Sequence, residues 1–315
     1  MRNKRKFDDD DYSLTDDSVE TFDVRAFDGD VFEKFYDQDH TWDSTDDGPE
    51  TGDRWSTWDL SSPLERGPRP YPDWVVQELA AVDVERGILK TGKEADVFLL
   101  SREVPGTDRA CLLAAKRYRD NDHRMFHRDA GYLEGRRVRE SRVNRAMSAR
   151  TAFGRTAIAG QWAVAEFGAL VSLWETAESL DVPPFTPYPV QILGTEILME
   201  FIGTPDGVAA PRLASVRANG DELQDLWEQL MLGMRVLARA GYAHGDLSPY
   251  NILVHDGRLV VIDLPQIVDV VANPQGKRFL SRDVKNVLSW FTARGLTGVD
   301  EPGVIAELCI EAGIR

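Results

Sequence analysis

Residues 242–266 read YAHGDLSPYNILVHDGRLVVIDLPQ, and three side chains in this stretch have an informative spacing. Asp246 lies two positions after His244 and five positions before Asn251. Asp263 lies twelve positions after Asn251. Between Asn251 and Asp263, two short apolar runs flank an Asp-Gly pair, which is a strong signal for a β-hairpin. The hairpin brings Asn251 and Asp263 to face one metal ion, with Asp246 one loop away. A catalytic Asp, an Asn ligand and an Asp ligand in this order are typical of phosphoryl transfer.

The same stretch has a second interpretation as an ordinary turn. Asp, Ser, Pro and Asn are common turn formers, so HGDLSPYN in isolation is compatible with a turn before a hairpin. A turn does not require two carboxylates and an Asn at these spacings, and the spacing therefore favours catalysis. We predict a catalytic loop at residues 244–251 and a metal strand at residues 259–263.

Length and composition limit the class of protein. The chain has 315 residues, 42% of them hydrophobic, which suits one two-lobed domain or two small ones. No apolar run approaches the roughly 18 residues of a membrane span, and the N-terminal MRNKRKFDDD lacks the apolar segment of a secretory signal. Cys111 and Cys309 have no metal-ligand spacing and are typical of reduced thiols. We expect a cytoplasmic protein without membrane association.

The net charge of −16 is concentrated near the N-terminus. Residues 1–60 contain 19 Asp and Glu against 7 Lys and Arg, with scattered aromatic residues and no sustained periodicity. This composition predicts an acidic disordered tail. Its aromatic residues leave open docking on a basic partner or on the chain's own basic surface. Residues 61–73 carry four prolines and are predicted to be a linker.

Residues 74–203 are predicted to form a small lobe that holds a nucleotide. A short helix is expected over residues 74–84, followed by a strand, a tight turn at Gly92 and a second strand. Gly92 permits close approach to phosphate, Lys93 adds positive charge, and Val97 would lie over a flat base. A typical kinase loop has three glycines, so a plain hairpin is the alternative.

Lys116 and Glu166 are the predicted charge pair of this lobe. Lys116 ends the apolar run CLLAAK, a placement that suits a lysine holding the α- and β-phosphates. Residues 156–180 have helical periodicity that puts Glu166 on an otherwise apolar face. An acid there costs stability unless a cation meets it, and Lys116 is the candidate. A partly exposed Glu at the edge of the face is the alternative.

A basic insertion is predicted between these two residues, at residues 117–155. Residues 116–155 contain 12 Lys and Arg against 5 Asp and Glu, a local charge of +7. The insertion is a candidate contact for nucleic acid, the ribosome or a phosphorylated partner. A solvent-screened loop and a receptor for the acidic tail are the alternatives, because its aromatic residues are sparse.

Residues 204–315 are predicted to form a second, mostly helical lobe. An amphipathic helix over residues 221–240 leads into the catalytic loop, and another helix covers residues 281–293. Paired strands at 188–193 and 195–202 close the first lobe. The fold class is therefore α+β: a two-lobed, protein-kinase-like fold with a small antiparallel sheet and helix followed by a short helical lobe.

Four motifs, in order, resemble those of the RIO protein kinases, particularly the type-one branch. TGKEADVF is similar to the family's GKEA nucleotide loop, and HGDLSPYN is similar to its catalytic loop. VIDLPQ is similar to the IDxSQ metal strand, and SRDVKNVLSWF to the RxDxxNxxxFF segment after it. The resemblance covers about residues 74–293 and implies a fold without an activation loop. The 52 residues that follow Asp263 agree with this.

The resemblance also implies a role for each matching residue. Lys116 would bind phosphate, Glu166 would orient Lys116, and Asp246 would be the catalytic base. The other implied residues are Met199 beside the adenine, the Glu200 carbonyl and Ile202 amide at its edge, and Asn251 and Asp263 as Mg²⁺ ligands. In this family the metal-binding Asp, here Asp263, also accepts phosphate as an aspartyl intermediate. Leu264-Pro265 replaces the usual Val-Ser, and proline stiffens the strand and removes an N–H.

The sequence predicts an ATP- and Mg²⁺-dependent serine/threonine protein kinase and ATPase of RIO type, with Mn²⁺ as a second candidate metal and an unidentified protein substrate. Two alternatives stay open at this point. A small-molecule phosphotransferase of the aminoglycoside or choline type shares HGDLxxxN. A nucleotide-binding scaffold with little turnover is the other.

Overall fold

The computed structural model describes residues 48–119 and 152–314, with only the backbone of residues 152–158. These residues form an antiparallel sheet with one helix, followed by a mainly helical lobe, so the predicted α+β two-lobed class is confirmed. Within the described ranges, no helix is both long enough and apolar enough to cross a bilayer.

The first lobe is a six-stranded antiparallel sheet with the order β1-β2-β3-β4-β6-β5. Its strands are β1 (Arg54–Trp55), β2 (Val82–Thr91), β3 (Ala95–Glu103), β4 (Ala110–Tyr118), β5 (Pro189–Leu193) and β6 (Glu196–Glu200). Helix α1 (Ala152–Ser179) packs against β4, β5 and β6. This packing places the middle of the helix opposite the strand that carries Lys116.

The β2–β3–β4 meander sets the direction of the lobe's charged side chains. A tight turn joins β2 and β3, closed by a hydrogen bond from the Gly92 amide to the Ala95 carbonyl (3.0 Å). Lys90 lies opposite Val97, and Val97 lies opposite Lys116. Directly opposite residues of antiparallel strands point to the same face of a sheet. Lys90, Val97 and Lys116 therefore stand in one row on one face.

The sheet begins earlier in the chain than the sequence analysis expected. Residues 54–55 pair with β2, and Trp58 is 4% exposed within a hydrophobic cluster of the lobe. The Gln191 side-chain amide donates to the Thr57 carbonyl (3.1 Å) and hydroxyl (2.9 Å). Residues 54–73 therefore pack on the first lobe, although they were assigned to a tail and a linker, because buried contacts stabilise them despite their composition. Residues 1–47 of the predicted tail lie outside the described residues.

The helix expected over residues 74–84 does not form. Val75 and Val76 are both buried in a segment of turns, and the Val75 amide donates to the Pro72 carbonyl (2.9 Å). β-Branched side chains lose rotamer freedom in a helix, and packing of both valines on the lobe decides the local conformation.

The predicted insertion has different ends in the structure. Strand β4 continues through Tyr118, and α1 begins at Ala152. Both ends of the segment predicted at residues 117–155 thus belong to regular elements. Residues 120–151 lie outside the described residues.

Among the described residues, the second lobe contains three α-helices, a short 3₁₀ helix (Leu213–Ser215) and two small two-stranded sheets. The helices are α2 (Gly220–Arg239), α3 (Gly276–Thr292) and α4 (Glu301–Glu311), and the strands are β7 (Tyr242–Ala243), β8 (Ile252–His255), β9 (Arg258–Val261) and β10 (Val268–Asp269). The predicted hairpin is confirmed, since β8 pairs with β9 from Ile252↔Val261 to His255↔Arg258. Its turn residues Asp256 (φ 49°) and Gly257 (φ 76°) both have the left-handed backbone that tight hairpin turns need.

Candidate active site

Lys116, Glu166 and Asp263 meet where the two lobes touch. Strand β4 carries Lys116, α1 carries Glu166, and Asp263 follows β9. The Lys116 Nζ lies 2.7 Å from Glu166 Oε1 and 2.8 Å from Asp263 Oδ1. Lys116 and Glu166 are buried. The predicted charge pair is therefore present, and it includes a third member from the second lobe.

The electrostatics of this cluster favour the charged forms of Lys116 and Asp263. Burial acts to lower the pKa of Lys116, but Glu166 and Asp263 together raise it above its usual value. Burial acts to raise the pKa of Asp263, but the Lys116 ammonium holds that pKa well below its ordinary range. The site thus presents the Lys116 ammonium directly beside the Asp263 carboxylate.

Glu166 is held by three donors. Besides Lys116, its carboxylate accepts hydrogen bonds from the Tyr118 hydroxyl and from the Leu264 amide (3.0 Å). Burial and the Glu166 charge raise the pKa of Tyr118 well above its usual value, so the phenol remains a donor. The sequence analysis missed Tyr118, although alternation along β4 puts it on the face of Lys116.

Asp263 has an unusual backbone and a second cation. Its φ is 70°, a left-handed conformation that a non-glycine residue adopts at a cost of about 1–3 kcal/mol. The Lys90 Nζ lies 3.4 Å from Asp263 Oδ2. The sequence analysis assigned no role to Lys90.

The catalytic loop is organised around His244 and Asn251. The buried His244 ring contacts the Ile262 carbonyl through Nε2 (3.1 Å) and accepts from the Asp246 amide at Nδ1 (3.3 Å). The Asn251 side-chain nitrogen donates to the Asp246 carbonyl (3.0 Å), and the Ile262 amide donates to the Asn251 carbonyl (2.9 Å). These bonds leave the Asp246 side chain exposed. The Asp246 carboxylate is therefore open to solvent, and its role as a base stays a prediction.

Helix α3 supports this loop from below the site. The buried Asp283 carboxylate accepts from the Gly245 amide (2.8 Å) and the Leu247 amide (3.1 Å). The Asn286 side chain donates to the Leu247 carbonyl (3.2 Å). Burial raises the pKa of Asp283, an effect that the two amide hydrogen bonds and the nearby His244 oppose. The spacing of Asp283 and Asn286 in SRDVKN, which matches the DxxN part of the family segment, was the sequence signal for this support.

The predicted nucleotide-loop residues lie at the turn between β2 and β3. A Cβ atom on Gly92 would come within 2.8 Å of the Ala95 carbonyl oxygen, so the turn favours glycine. Lys93 is exposed and Val97 partly buried. Only Val97 shares the row of Lys116 in the sheet register.

The predicted adenine-edge residues lie at and just after the end of β6. Met199 is partly buried, and the Glu200 amide donates to the Tyr188 carbonyl (2.8 Å). Ile202 is 7% exposed and belongs to a small apolar cluster with Ala210. The structure places these residues at the junction of the lobes, and their binding roles stay predictions.

Comparison with known proteins identifies the family. The family model for the RIO domain matches residues 114–303, which is more than half of the chain. This chain belongs to the RIO family. The match begins at Ala114 in β4, so the TGKEADVF turn precedes it, whereas the catalytic loop and helix α3 lie inside it.

Three relatives support a RIO chain of the type-one branch. A protein of Haloferax volcanii named RIO-type serine/threonine-protein kinase Rio1 is 37% identical over 215 residues, 68% of this chain and 65% of the relative. Proteins named serine/threonine-protein kinase RIO1 are 33% identical over 138 residues in Saccharomyces cerevisiae and 30% identical over 219 residues in Chaetomium thermophilum. These alignments cover 43% and 67% of this chain but 27% and 40% of the relatives. The chain thus spans less than two thirds of each relative.

The RIO site has a donor set that fits a magnesium ion. Asn251 and Asp263 lie at the open end of the β8–β9 hairpin and offer amide and carboxylate oxygens. The Asn251 nitrogen is engaged by the Asp246 carbonyl, which leaves Oδ1 as the acceptor of that side chain. Mg²⁺ prefers oxygen ligands and is often held by one or two protein groups together with substrate phosphates.

Proposed function

We propose that this chain is a serine/threonine protein kinase and ATPase of RIO type that depends on ATP and Mg²⁺. The observation that carries the proposal is the Lys116 ammonium held between Glu166 and Asp263 at 2.7 and 2.8 Å. Phosphoryl transfer requires a fixed cation beside the phosphates and an oxygen ligand for metal at the same point. The family membership supports this activity and disfavours the aminoglycoside- or choline-type alternative.

The chain's residues would act as follows. Lys116 would bind the α- and β-phosphates, with Glu166 holding its ammonium in place. Asp246 would accept the proton of the attacking hydroxyl, because its carboxylate is exposed beside the site. Asn251 and Asp263 would hold Mg²⁺, which would supply positive charge that stabilises the phosphates when bound.

The nucleotide base would lie between the lobes. Val97 would cover one face of the adenine, and Met199 would neighbour it. The Glu200 carbonyl and the Ile202 amide would bind its edge. Gly92 and Lys93 would approach the phosphates from the β2–β3 turn.

A covalent route through Asp263 is the finer part of the proposal. An Asp263 carboxylate oxygen would attack the γ-phosphorus, the bond from that phosphorus to the β–γ bridging oxygen would break, and ADP would leave. Water or a substrate hydroxyl would then attack the phosphorus of the acyl phosphate and give its proton to Asp246. The bond from phosphorus to the Asp263 oxygen would break, which frees the Asp263 carboxylate and yields inorganic phosphate or the phosphorylated substrate. The Leu264 amide already donates to Glu166, which holds the backbone next to Asp263 in spite of Pro265.

The test is incubation with γ-labelled ATP and Mg²⁺. The wild type should turn over ATP, and Asp263→Asn should weaken Mg²⁺-dependent nucleotide binding. Label that hydroxylamine removes supports the acyl phosphate, and label that resists it indicates Ser or Thr autophosphorylation. Turnover without label supports direct transfer. Absence of both turnover and nucleotide binding in the wild type contradicts the proposed function.

The partners and location are proposals as well. We propose a protein substrate and a cytoplasmic location. Contact with nucleic acid or the ribosome through the predicted insertion at residues 117–155 is part of the same proposal. Its central residues 120–151 lie outside the described residues.

A further inference from the structure

Lys90 is a cation of the candidate site that none of the roles above uses. It lies next to the last residue of β2, 173 positions before Asp263 in the chain. Its Nζ is 3.4 Å from Asp263 Oδ2, while the Lys116 Nζ is 2.8 Å from Asp263 Oδ1. Each carboxylate oxygen of Asp263 therefore faces its own ammonium.

A β-bulge decides that Lys90 points into the site. The pairing of β2 with β3 shifts between Ile88 and Lys90, which leaves Leu89 as an extra residue. Side chains alternate along a strand, so one extra residue turns the following side chains to the other face. Without the bulge, Lys90 would point away from the face that Val97 and Lys116 share. Bulges recur next to active sites, where they redirect a side chain.

The contact of Lys90 with Asp263 is a weak source of stability. The side chains of Lys90 and Asp263 are 38% and 32% exposed, and ion pairs that reach solvent contribute about 0–1 kcal/mol. Asp263 also has Lys116 as a closer and buried partner. Stability alone therefore does not account for a second ammonium at this carboxylate.

Nucleotide binding would give Lys90 a different acceptor. A metal held by Asp263 would compete for the carboxylate oxygen that Lys90 contacts. The Lys90 ammonium would then lie beside the phosphates that share the metal, on the opposite side of Val97 in the sheet from Lys116. Lys116 takes the α- and β-phosphates in the proposed function, which leaves the terminal phosphate for Lys90.

We propose that Lys90 binds the γ-phosphate of ATP and thereby makes the site prefer ATP over ADP. The inference rests on the proposed function and adds a specificity-determining residue to it. In the absence of nucleotide, Asp263 holds the Lys90 ammonium close to the position where the phosphate binds. The Lys90 side chain is therefore already ordered before ATP binds, and this lowers the entropic cost of binding.

The test compares two nucleotides on four variants of the full chain. Calorimetry gives the Kd for ADP and for adenylyl imidodiphosphate, a non-hydrolysable ATP analogue, with Mg²⁺ and again with EDTA. Lys90→Ala should weaken the ATP analogue about tenfold, which corresponds to one charge-assisted hydrogen bond of about 1.4 kcal/mol, and ADP by no more than about threefold. The ATP-selective loss should be smaller in EDTA, because without the metal the Asp263 carboxylate keeps the Lys90 ammonium.

Three variants serve as controls. Lys90→Arg should restore most of the preference for the ATP analogue. Arg86→Ala removes another cation of β2, which pairs with Glu103 at 3.6 Å, and should change neither Kd. Lys93→Ala tests the exposed lysine of the turn. Thermal melting of each variant verifies its fold.

Three outcomes would overturn the inference. Equal losses for both nucleotides in Lys90→Ala would show a general charge effect. An ATP-selective loss in Lys93→Ala, with none in Lys90→Ala, would assign the contact to the turn. A wild type that binds both nucleotides without preference would show that the site lacks the selectivity assigned to Lys90. A wild type that binds neither nucleotide is a distinct result, because it contradicts the proposed function itself.

Discussion

At the scale of single residues, Asp246 has an exposed side chain on a loop whose backbone is fixed. His244 and Asn251 bond to the Asp246 backbone, so removal of the carboxylate should leave the loop in place. We expect Asp246→Ala to lower ATP turnover by about 10²–10⁴, the usual weight of a positioned base, with nearly unchanged nucleotide affinity. Single-turnover kinetics and calorimetry measure the two quantities. Equal losses in both would assign Asp246 a different role.

Lys116 and Glu166 should behave as one unit. Their atoms are 2.7 Å apart, and each single substitution leaves the other group without its main partner in a buried site. We expect Lys116→Ala and Glu166→Ala each to impair ATP use, with the double variant little worse than either. Steady-state kinetics of the wild type and these three variants give a double-mutant cycle that measures the coupling. Losses that multiply fully in the double variant would contradict the pairing.

At the scale of elements, the N-terminal segment of residues 54–73 belongs to the sheet. The sequence analysis placed residues 54–60 in a disordered tail and residues 61–73 in a linker, and the structure contradicts both assignments. Trp58 is buried, Thr57 bonds to Gln191, and the Arg54 side chain contacts Glu196 at 2.5 Å. Deletion of residues 1–60 would remove these three side chains and with them their contacts to the sheet.

Two deletions test the boundary. A chain that lacks residues 1–60 loses Trp58 and Thr57, and we expect a loss of about 3–5 kcal/mol in stability, the usual effect of removing one buried large aromatic side chain. A chain that lacks residues 1–47 keeps every one of these contacts and should unfold at the same denaturant concentration as the wild type. Chemical denaturation measures the difference. Identical unfolding of both deletions would show that the segment contributes nothing.

Helix α3 determines the rigidity of the catalytic loop through Asp283. Substitution with Ala leaves the Gly245 and Leu247 amides without their acceptor, at a cost of about 1–3 kcal/mol for each buried group. We expect Asp283→Ala to lower turnover and to speed hydrogen exchange at these two amides. Exchange elsewhere in α2 should change less. Slow exchange at Gly245 together with normal turnover would contradict the support role.

At the scale of the whole molecule, much of the predicted basic charge is already paired. Lys116 contacts two carboxylates, Arg117 pairs with Glu85 and Glu196, and Arg119 pairs with Asp96. Residues 120–151 contain eight Lys and Arg against five Asp and Glu, a charge of +3. This charge of +3 is smaller than the +7 of residues 116–155. Less electrostatic attraction is therefore available for binding polyanions.

The acidic tail and this basic stretch have opposite charge. If residues 1–47 contact residues 120–151, deletion of 1–47 should raise the affinity for heparin at low salt. The gain should shrink as salt increases, because the Debye length is about 10 Å at 0.1 M. Heparin-column elution of the two chains measures it. Unchanged elution at low salt would contradict the contact and leave the fold prediction intact.

The sequence by itself determined the elements that depend on neighbouring residues. The Asp-Gly turn predicted the β8–β9 hairpin, since both turn residues need left-handed backbone. Helical periodicity put Glu166 on a buried face, and the apolar run before Lys116 predicted a strand. Such signals act over a few residues, so they are visible without knowledge of the rest of the chain.

Only the tertiary structure decided the features that join distant residues. The buried position of Trp58, the absence of a helix at residues 74–84 and the bulge that turns Lys90 all depend on packing against the sheet. Lys116 and Asp263 are 147 positions apart. No local propensity encodes which carboxylate meets which ammonium, because burial and charge balance are properties of the assembled lobes.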